Sequence, residues 1–219
     1  MTPNQRRATR ILIVDDHPIV RLGIRQLIDA ESDLEVCAEA ESQQAALATA
    51  KDVEPDLAIV DLALAEGTGL GLVQQLHESV PSLPVLVLSM HDEALYAERV
   101  LRAGARGYIM KREAITGLIG AIRQILSGRV YVSDAMGQTL LQRLGRDEAT
   151  PGDPLARLTD REIQVLDLIG QGLGTAEIAR TLGVSIKTIE TYRSNVRTKL
   201  NLKDAADLIR FAATRNDRL

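Results

Sequence analysis

Five polar residues stand at the ends of successive apolar segments: Asp15 and Asp16 after Ile11-Leu12-Ile13-Val14, Asp61 after Leu57-Ala58-Ile59-Val60, Ser89 after Val85-Leu86-Val87-Leu88, and Lys111 after Tyr108-Ile109-Met110. Two adjacent carboxylates joined by a third can hold Mg²⁺, a hard cation that takes oxygen ligands and keeps waters for substrate phosphate to replace. Asp61 can then attack a phosphoryl group and form an acyl phosphate. The crowded equatorial oxygens of that group need positive charge, which Mg²⁺ and the Lys111 ammonium would supply, while Ser89 offers a hydroxyl donor.

Such chemistry requires the five residues to meet. Continuous apolar runs separated by helix-sized segments read as buried parallel strands, and in open α/β sheets the carboxyl ends of the strands line the ligand crevice. The pattern predicts strands near 10–15, 34–39, 57–61, 84–89 and 107–110, with helices near 18–30, 42–52, 68–79, 93–103 and 113–127. Five βα repeats imply a doubly wound five-stranded parallel sheet with helices on both faces.

A weak helical pattern continues from Ser133 to Leu144, and then Gly145 to Pro154 loses apolar periodicity and carries two prolines, as a linker does. Beyond it no strand-like run occurs. Thr159 and Glu162 have capping-box spacing, and Ile163, Leu166 and Ile169 form the apolar stripe of a core helix. Thr175 to Leu182, the turn Gly183-Val184-Ser185 and a helix from Ile186 to Leu200 have helix-turn-helix length, with Ile189, Val196 and Leu200 facing inward. The opposite face of that second helix carries Lys187, Thr188, Glu190, Thr191, Tyr192, Arg193, Ser194, Arg197 and Lys199. Cations and hydroxyls of this kind can anchor phosphates and meet base edges in a DNA groove, although composition alone favours an ordinary solvated face.

The net charge of −4 conceals an asymmetry: residues 1–150 carry 15 basic against 21 acidic side chains, net −6, and residues 151–219 carry 11 against 9, net +2. Different partners for the two halves follow. The single cysteine, Cys37, rules out a disulfide framework and reads as a buried structural thiol, and His17, His77 and His91 lack metal-ligand spacing and read as surface or loop residues. With no run of 18 apolar residues and no apolar leader after Arg6, Arg7 and Arg10, a soluble, cytoplasmic protein that makes no membrane contact is expected.

Residues 10–127 resemble the receiver domain of two-component response regulators: an acidic pair after the first strand, an aspartate after the third, Ser/Thr after the fourth and Lys after the fifth. The resemblance implies a flavodoxin-like fold, Asp15, Asp16 and Asp61 as Mg²⁺ ligands with the Ala63 carbonyl able to add to them, and Asp61 as the phosphorylated residue. It further implies Ser89, Tyr108 and Lys111 as the residues that sense the phosphoryl group. Two departures stand out. Arg112, not proline, follows Lys111, so no cis-proline is expected there, and Leu62 to Leu70 keeps glycines but lacks the common Pro-Gly and Met-Asp-Gly elements.

Residues 158–213 are similar to the four-helix DNA-binding domain of the LuxR and NarL families, through Leu158-Thr159-x-Arg161-Glu162, Gly172-x-x-x-x-Glu177-Ile178-Ala179 and Ser185-x-Lys187-Thr188-Ile189-Glu190-Thr191-x-x-x-Asn195-Val196-x-x-Lys199-Leu200. Tyr192 stands where that family most often has His. By resemblance, Glu190, Thr191 and Ser194 would read bases, Lys187, Thr188, Arg193 and Lys199 would contact the backbone, and a last helix near Lys203–Thr214 would supply dimer contacts.

The order of parts is that of a NarL/FixJ-type response regulator: a receiver over 10–127, a helical extension and linker over 128–157, and a helix-turn-helix domain over 158–219. What this implies is a transcription regulator, not an enzyme, phosphorylated on Asp61 by a cognate sensor histidine kinase, binding promoter DNA and forming a homodimer when phosphorylated. Haloacid-type phosphatases, the rival class with an aspartate nucleophile, need a second Asp two residues on, and Asp61-Leu62-Ala63 has none.

Overall fold

The computed structural model describes residues 7–64, 69–90, 93–144 and 154–216. The chain forms two units, Met1–Gly145 and Arg146–Leu219. The first runs β1 (Thr9–Val14), α1 (Pro18–Asp29), β2 (Leu34–Ala40), α2 (Gln43–Val53), β3 (Leu57–Asp61), α3 (Gly69–Ser79), β4 (Val85–Ser89), α4 (Glu93–Arg102), β5 (Gly107–Met110), a 3₁₀ turn (Lys111–Glu113), α5 (Ala114–Leu126) and α6 (Asp134–Leu144). The strands are all parallel, in the order β2-β1-β3-β4-β5. This is the doubly wound arrangement read from the strand spacing.

Strands β3 and β4 inside the sheet and β5 at its edge are buried at every position because helices cover both faces. Alternate residues Ile11, Ile13, Leu57, Ile59, Leu86, Leu88 and Ile109 pack with Ile24 and Ile28 of α1 and Leu118, Ile122 and Ile125 of α5. Residues of the other parity, among them Val60, Val87 and Tyr108, are equally buried and by the strand period of two face the opposite layer. Each such aliphatic side chain contributes about 1.5–3 kcal/mol by leaving water. The sum holds the strand ends, and so the polar residues just beyond them, in one register.

Beyond α5 the chain returns to the sheet edge. Tyr108 donates its N–H to the Tyr131 carbonyl at 2.9 Å, and Tyr131 donates to the Arg106 carbonyl at 3.0 Å, so the open edge of β5 is covered. Ser133 then caps α6 by accepting from the Met136 N–H at 3.2 Å, and the buried Glu93 carboxylate accepts from the Ser133 N–H at 2.8 Å. The helical part of the expected extension therefore packs on α4 in the first unit, while most of the expected linker lies outside the described residues.

Among its described residues the second unit holds a 3₁₀ turn (Pro154–Arg157) and four helices, α7 (Asp160–Gly170), α8 (Thr175–Thr181), α9 (Ile186–Lys199) and α10 (Ala205–Asn216). Thr159 and Glu162 form the capping box their spacing predicts. Ile163, Leu166, Ile169, Ile189 and Val196 are buried, whereas Leu200 is half-buried. The last helix starts two residues later than the pattern suggests, because the Asp204 carboxylate caps it by accepting from the Asp207 N–H at 2.8 Å.

Candidate functional site

The ends of β1, β3 and β5 converge on one carboxylate-rich pocket. Lys111 donates from Nζ to Asp15 Oδ2 at 2.7 Å and to Asp61 Oδ2 at 2.8 Å, joining residues 96 and 50 positions apart in sequence. Asp15 and Asp61 are only 1% and 2% exposed. Oxygens of Asp15, Asp16 and Asp61 and a nitrogen of His17 lie within 4.8 Å of one another.

Two buried carboxylates facing one shared ammonium leave excess negative charge, and Asp16 adds to it. Burial raises the Asp61 carboxyl above its ordinary value; Lys111 opposes this and Asp15 reinforces it. Burial also works against the Lys111 charge, but Asp61 and Asp15 outweigh it and hold the ammonium above its usual range. Three clustered carboxylates with one ammonium between two of them are what a hard divalent cation such as Mg²⁺ fits, so the residues present suit that ion.

The Asp61 side chain is fixed on its other oxygen as well, Oδ1 accepting from the Ala63 N–H at 3.2 Å. Gly69, at the start of α3, sits so close that a Cβ would lie 2.2 Å from the Asp61 carbonyl oxygen. Only a residue without a side chain lets α3 begin against the end of β3. Ser89 is fully buried beside the pocket, one residue past the Asp61–Leu88 register pair. Tyr108 is fully buried in β5 opposite Val87, a packed position from which its hydroxyl does not reach solvent.

Sequence reasoning missed two residues. The first is His17, exposed ahead of α1 as a surface or loop residue should be, whose Nδ1 nevertheless lies 2.8 Å from Asp16 Oδ1 and 3.2 Å from Asp15 Oδ1. Arg21 is the second. It occupies the buried stripe of α1 with Ile24 and Ile28, a charged residue at an apolar-face position, and that misfit is the signal available in the sequence. His91 and the glycine turn at Gly67 lie outside the described residues.

In the second unit Lys187, Glu190, Thr191 and Ser194 are exposed on α9, and Thr188, Tyr192, Arg193, Arg197 and Lys199 are half-buried. Ser185 caps the helix, accepting from the Thr188 N–H at 3.1 Å, with the Thr188 hydroxyl 2.8 Å away. The Thr191 hydroxyl donates back to the Lys187 carbonyl at 3.0 Å. Lys199 donates to Glu162 Oε2 at 2.7 Å, which ties its ammonium to the α7 cap. Arg193 and Arg197 line a hollow of about 210 Å³ with Glu190, Ser194, Ala205 and Leu208. Burial, and then the like charge of Arg197, lowers the affinity of the Arg193 guanidinium for its proton, and among the described residues neither arginine pairs with a carboxylate. An anion arriving from outside would relieve that repulsion.

Comparison with known proteins covers both units. Residues 11–123 match the response regulator receiver domain family, and residues 156–212 match the LuxR family of bacterial regulatory proteins. The chain is 36% identical to the oxygen regulatory protein NreC of Staphylococcus carnosus (strain TM300) over 93% of its own length and 96% of that protein's. It is similar to RcsB from Salmonella enterica serovar Typhimurium, solved bound to promoter rprA with the phosphomimetic BeF₃⁻, at 27% identity and a TM-score of 0.62, covering 94% of this chain and 98% of that one. A further structure, of two RcsB dimers on two parallel DNAs, matches at 26% identity and a TM-score of 0.58, covering 93% and 97%.

Proposed function

Because the chain belongs to the two-component response regulators of the NarL type, transcription regulators with a receiver domain and a LuxR-type DNA-binding domain, we propose that Asp61 is its phosphoryl acceptor and that phosphorylation there controls promoter binding. The observation that carries this reading is Lys111 held between Asp15 and Asp61 at 2.7 and 2.8 Å.

A sensor kinase's phosphohistidine would donate. The bond from phosphorus to imidazole nitrogen breaks as the bond to an Asp61 carboxylate oxygen forms, and the electron pair leaves with the imidazole. Asp15, Asp16 and Asp61 would hold Mg²⁺, which supplies charge opposite the transferring oxygens when bound. Lys111 exchanges its carboxylate partners for a phosphoryl oxygen, and Ser89 donates its hydroxyl to another. An apolar hollow of about 490 Å³, lined in part by Leu27, Met90, Lys111 and Ile115, opens beside this edge and suits a docking kinase. Tyr108 would follow the shift of the loop after β4, and residues 10–127 would act as the switching unit on 158–219.

Output would run through α9. Glu190, Thr191 and Ser194 would read bases, and Lys187, Thr188, Tyr192, Arg193, Arg197 and Lys199 would meet the phosphate backbone, with two phosphorylated chains pairing on a two-fold site. The dimeric, DNA-bound RcsB relative supports this. No described helix is long and apolar enough to cross a membrane, which is consistent with work in the cytoplasm. Acetyl phosphate with Mg²⁺ should add one phosphoryl mass, and Asp61→Asn or chelation should abolish it. Full labelling of Asp61→Asn, or a sedimentation mass and promoter affinity unchanged by beryllofluoride, would overturn the reading.

A further inference from the structure

Arg21 is 8% exposed and spends its guanidinium on three acceptors, one just past β1 and two at the end of β2. Nη1 donates to the Asp15 carbonyl at 2.6 Å, Nε to Glu39 Oε2 at 3.0 Å, and Nη2 to Glu41 Oε1 at 2.6 Å. Asp15 is thereby held at every polar atom. Its N–H donates to the Ala40 carbonyl at 3.2 Å, its Oδ1 accepts from the His17 N–H at 2.8 Å, and its Oδ2 accepts from Lys111.

We propose that Arg21 is a positioning residue for the cation pocket: its planar fork fixes the backbone just beyond β1 against α1 and the end of β2, and so aims the Asp15 and Asp16 carboxylates at the metal. The inference rests on the Mg²⁺ reading above. Asp15 and Asp16 lie past the last residue of β1, where the β1–β3 pairing has already ended at Val14, so β2 holds Asp15 through its N–H but the Asp15 carbonyl has left the ladder. A flexible ammonium could satisfy one of the three acceptors in turn, whereas a guanidinium presents fixed donors to all of them. Arg21 also adds little repulsion toward a cation, because Glu39 and Glu41 neutralise it and Arg25, which bonds Glu39 at 2.8 and 2.6 Å. What it passes to the pocket is geometry, the usual office of the groups behind metal ligands, whose loss weakens metal affinity about 10–100-fold.

Charge and geometry predict opposite signs. Removing a nearby positive charge should tighten binding of a dication, so Coulomb's law alone expects both Arg21→Met and Arg25→Met to bind Mg²⁺ more strongly. Positioning expects Arg25→Met to be unchanged or slightly tighter and Arg21→Met and Arg21→Lys to be weaker by about tenfold or more. The experiment is calorimetric titration of the full chain with Mg²⁺ alone, with thermal unfolding recorded beside it. A purely structural arginine would lower the melting temperature and leave the Mg²⁺ dissociation constant of the folded protein unmoved, and that result overturns the inference. Should the Arg21 variants not fold, Glu41→Gln, at a mostly exposed carboxylate, must weaken Mg²⁺ at least about threefold, and unchanged affinity overturns the inference equally. Absence of Mg²⁺ binding in the unaltered chain would instead sink the metal reading on which the inference rests.

Discussion

Asp61 in the strand-end pocket and Glu162 in the first helix of the second unit are both 2% exposed, and each has a lysine ammonium close by, at 2.8 and 2.7 Å. Their acidities nevertheless move in opposite directions. Burial raises both, but at Glu162 the Lys199 ammonium and the Thr159 N–H outweigh it and hold the carboxyl below its ordinary value. At Asp61 the lysine is divided with Asp15, whose own charge adds to the burial penalty. Burial and an adjacent lysine therefore do not tell function from structure. What separates the two sites is how the charge is shared: at the α7 cap one ammonium faces one carboxylate, whereas in the strand-end pocket one ammonium is divided between Asp15 and Asp61.

The widest break of that comparison is Glu162→Gln, which should destabilise the 151–219 fragment by about 2 kcal/mol near neutral pH, the worth of a charge-assisted hydrogen bond at a buried group. Since the folded carboxyl lies below its ordinary value of 4.5, its contribution is present above that pH and is lost as pH falls through the folded value. Urea unfolding at neutral pH and in acid checks this: the gap between the two proteins should close in acid. A gap that does not depend on pH would make Glu162 a packing residue.

A smaller effect concerns α9, whose exposed face carries Glu190, Thr191 and Ser194 beside the half-buried Arg193. Arg193→Ala should weaken binding about tenfold on every DNA sequence and lower the salt slope by about one, whereas Thr191→Ala or Ser194→Ala should change base preference by about 1 kcal/mol. Titrations on two operators at two salt concentrations separate the outcomes. Equal losses from all three variants would mean that α9 grips DNA without reading it.

The two regions were also unequally legible in the sequence. Strand ends are legible because short apolar runs recur between helix-sized segments and end in polar residues, which places Asp15, Asp61, Ser89 and Lys111 at one sheet edge. Ion pairs across 50 and 96 positions leave no local trace, and Arg21 leaves only its misfit in the apolar stripe of α1, because its role depends on where β2 ends. Helix ends in the second unit were readable to within a residue or two through Thr159, Ser185 and Glu162. Lys199 was not, since the partner that engages its ammonium is 37 positions away.

The smallest expected effect bears most directly on the opening contrast. Asp61→Asn should stabilise the Mg²⁺-free receiver by about 1 kcal/mol at neutral pH, although it destroys the proposed acceptor. The sign follows from the raised folded value. A carboxyl that holds its proton more tightly when folded favours folding in acid, and that contribution is lost as pH rises through the folded value, leaving a buried charge beside Asp15. Asparagine keeps the shape without the charge. Below the ordinary value of 3.8 both proteins carry a neutral group there and the difference should vanish. Saturating Mg²⁺ should reverse the order, because the unaltered protein gains stability as RT ln(1 + [Mg²⁺]/Kd) and the variant, short of one ligand, gains less. Urea midpoints in EDTA and in Mg²⁺ measure both halves. If Asp61→Asn were the less stable protein in EDTA at neutral pH, Lys111 would already balance Asp61 as Lys199 balances Glu162, and the strand-end pocket would have no charge left to recruit a metal.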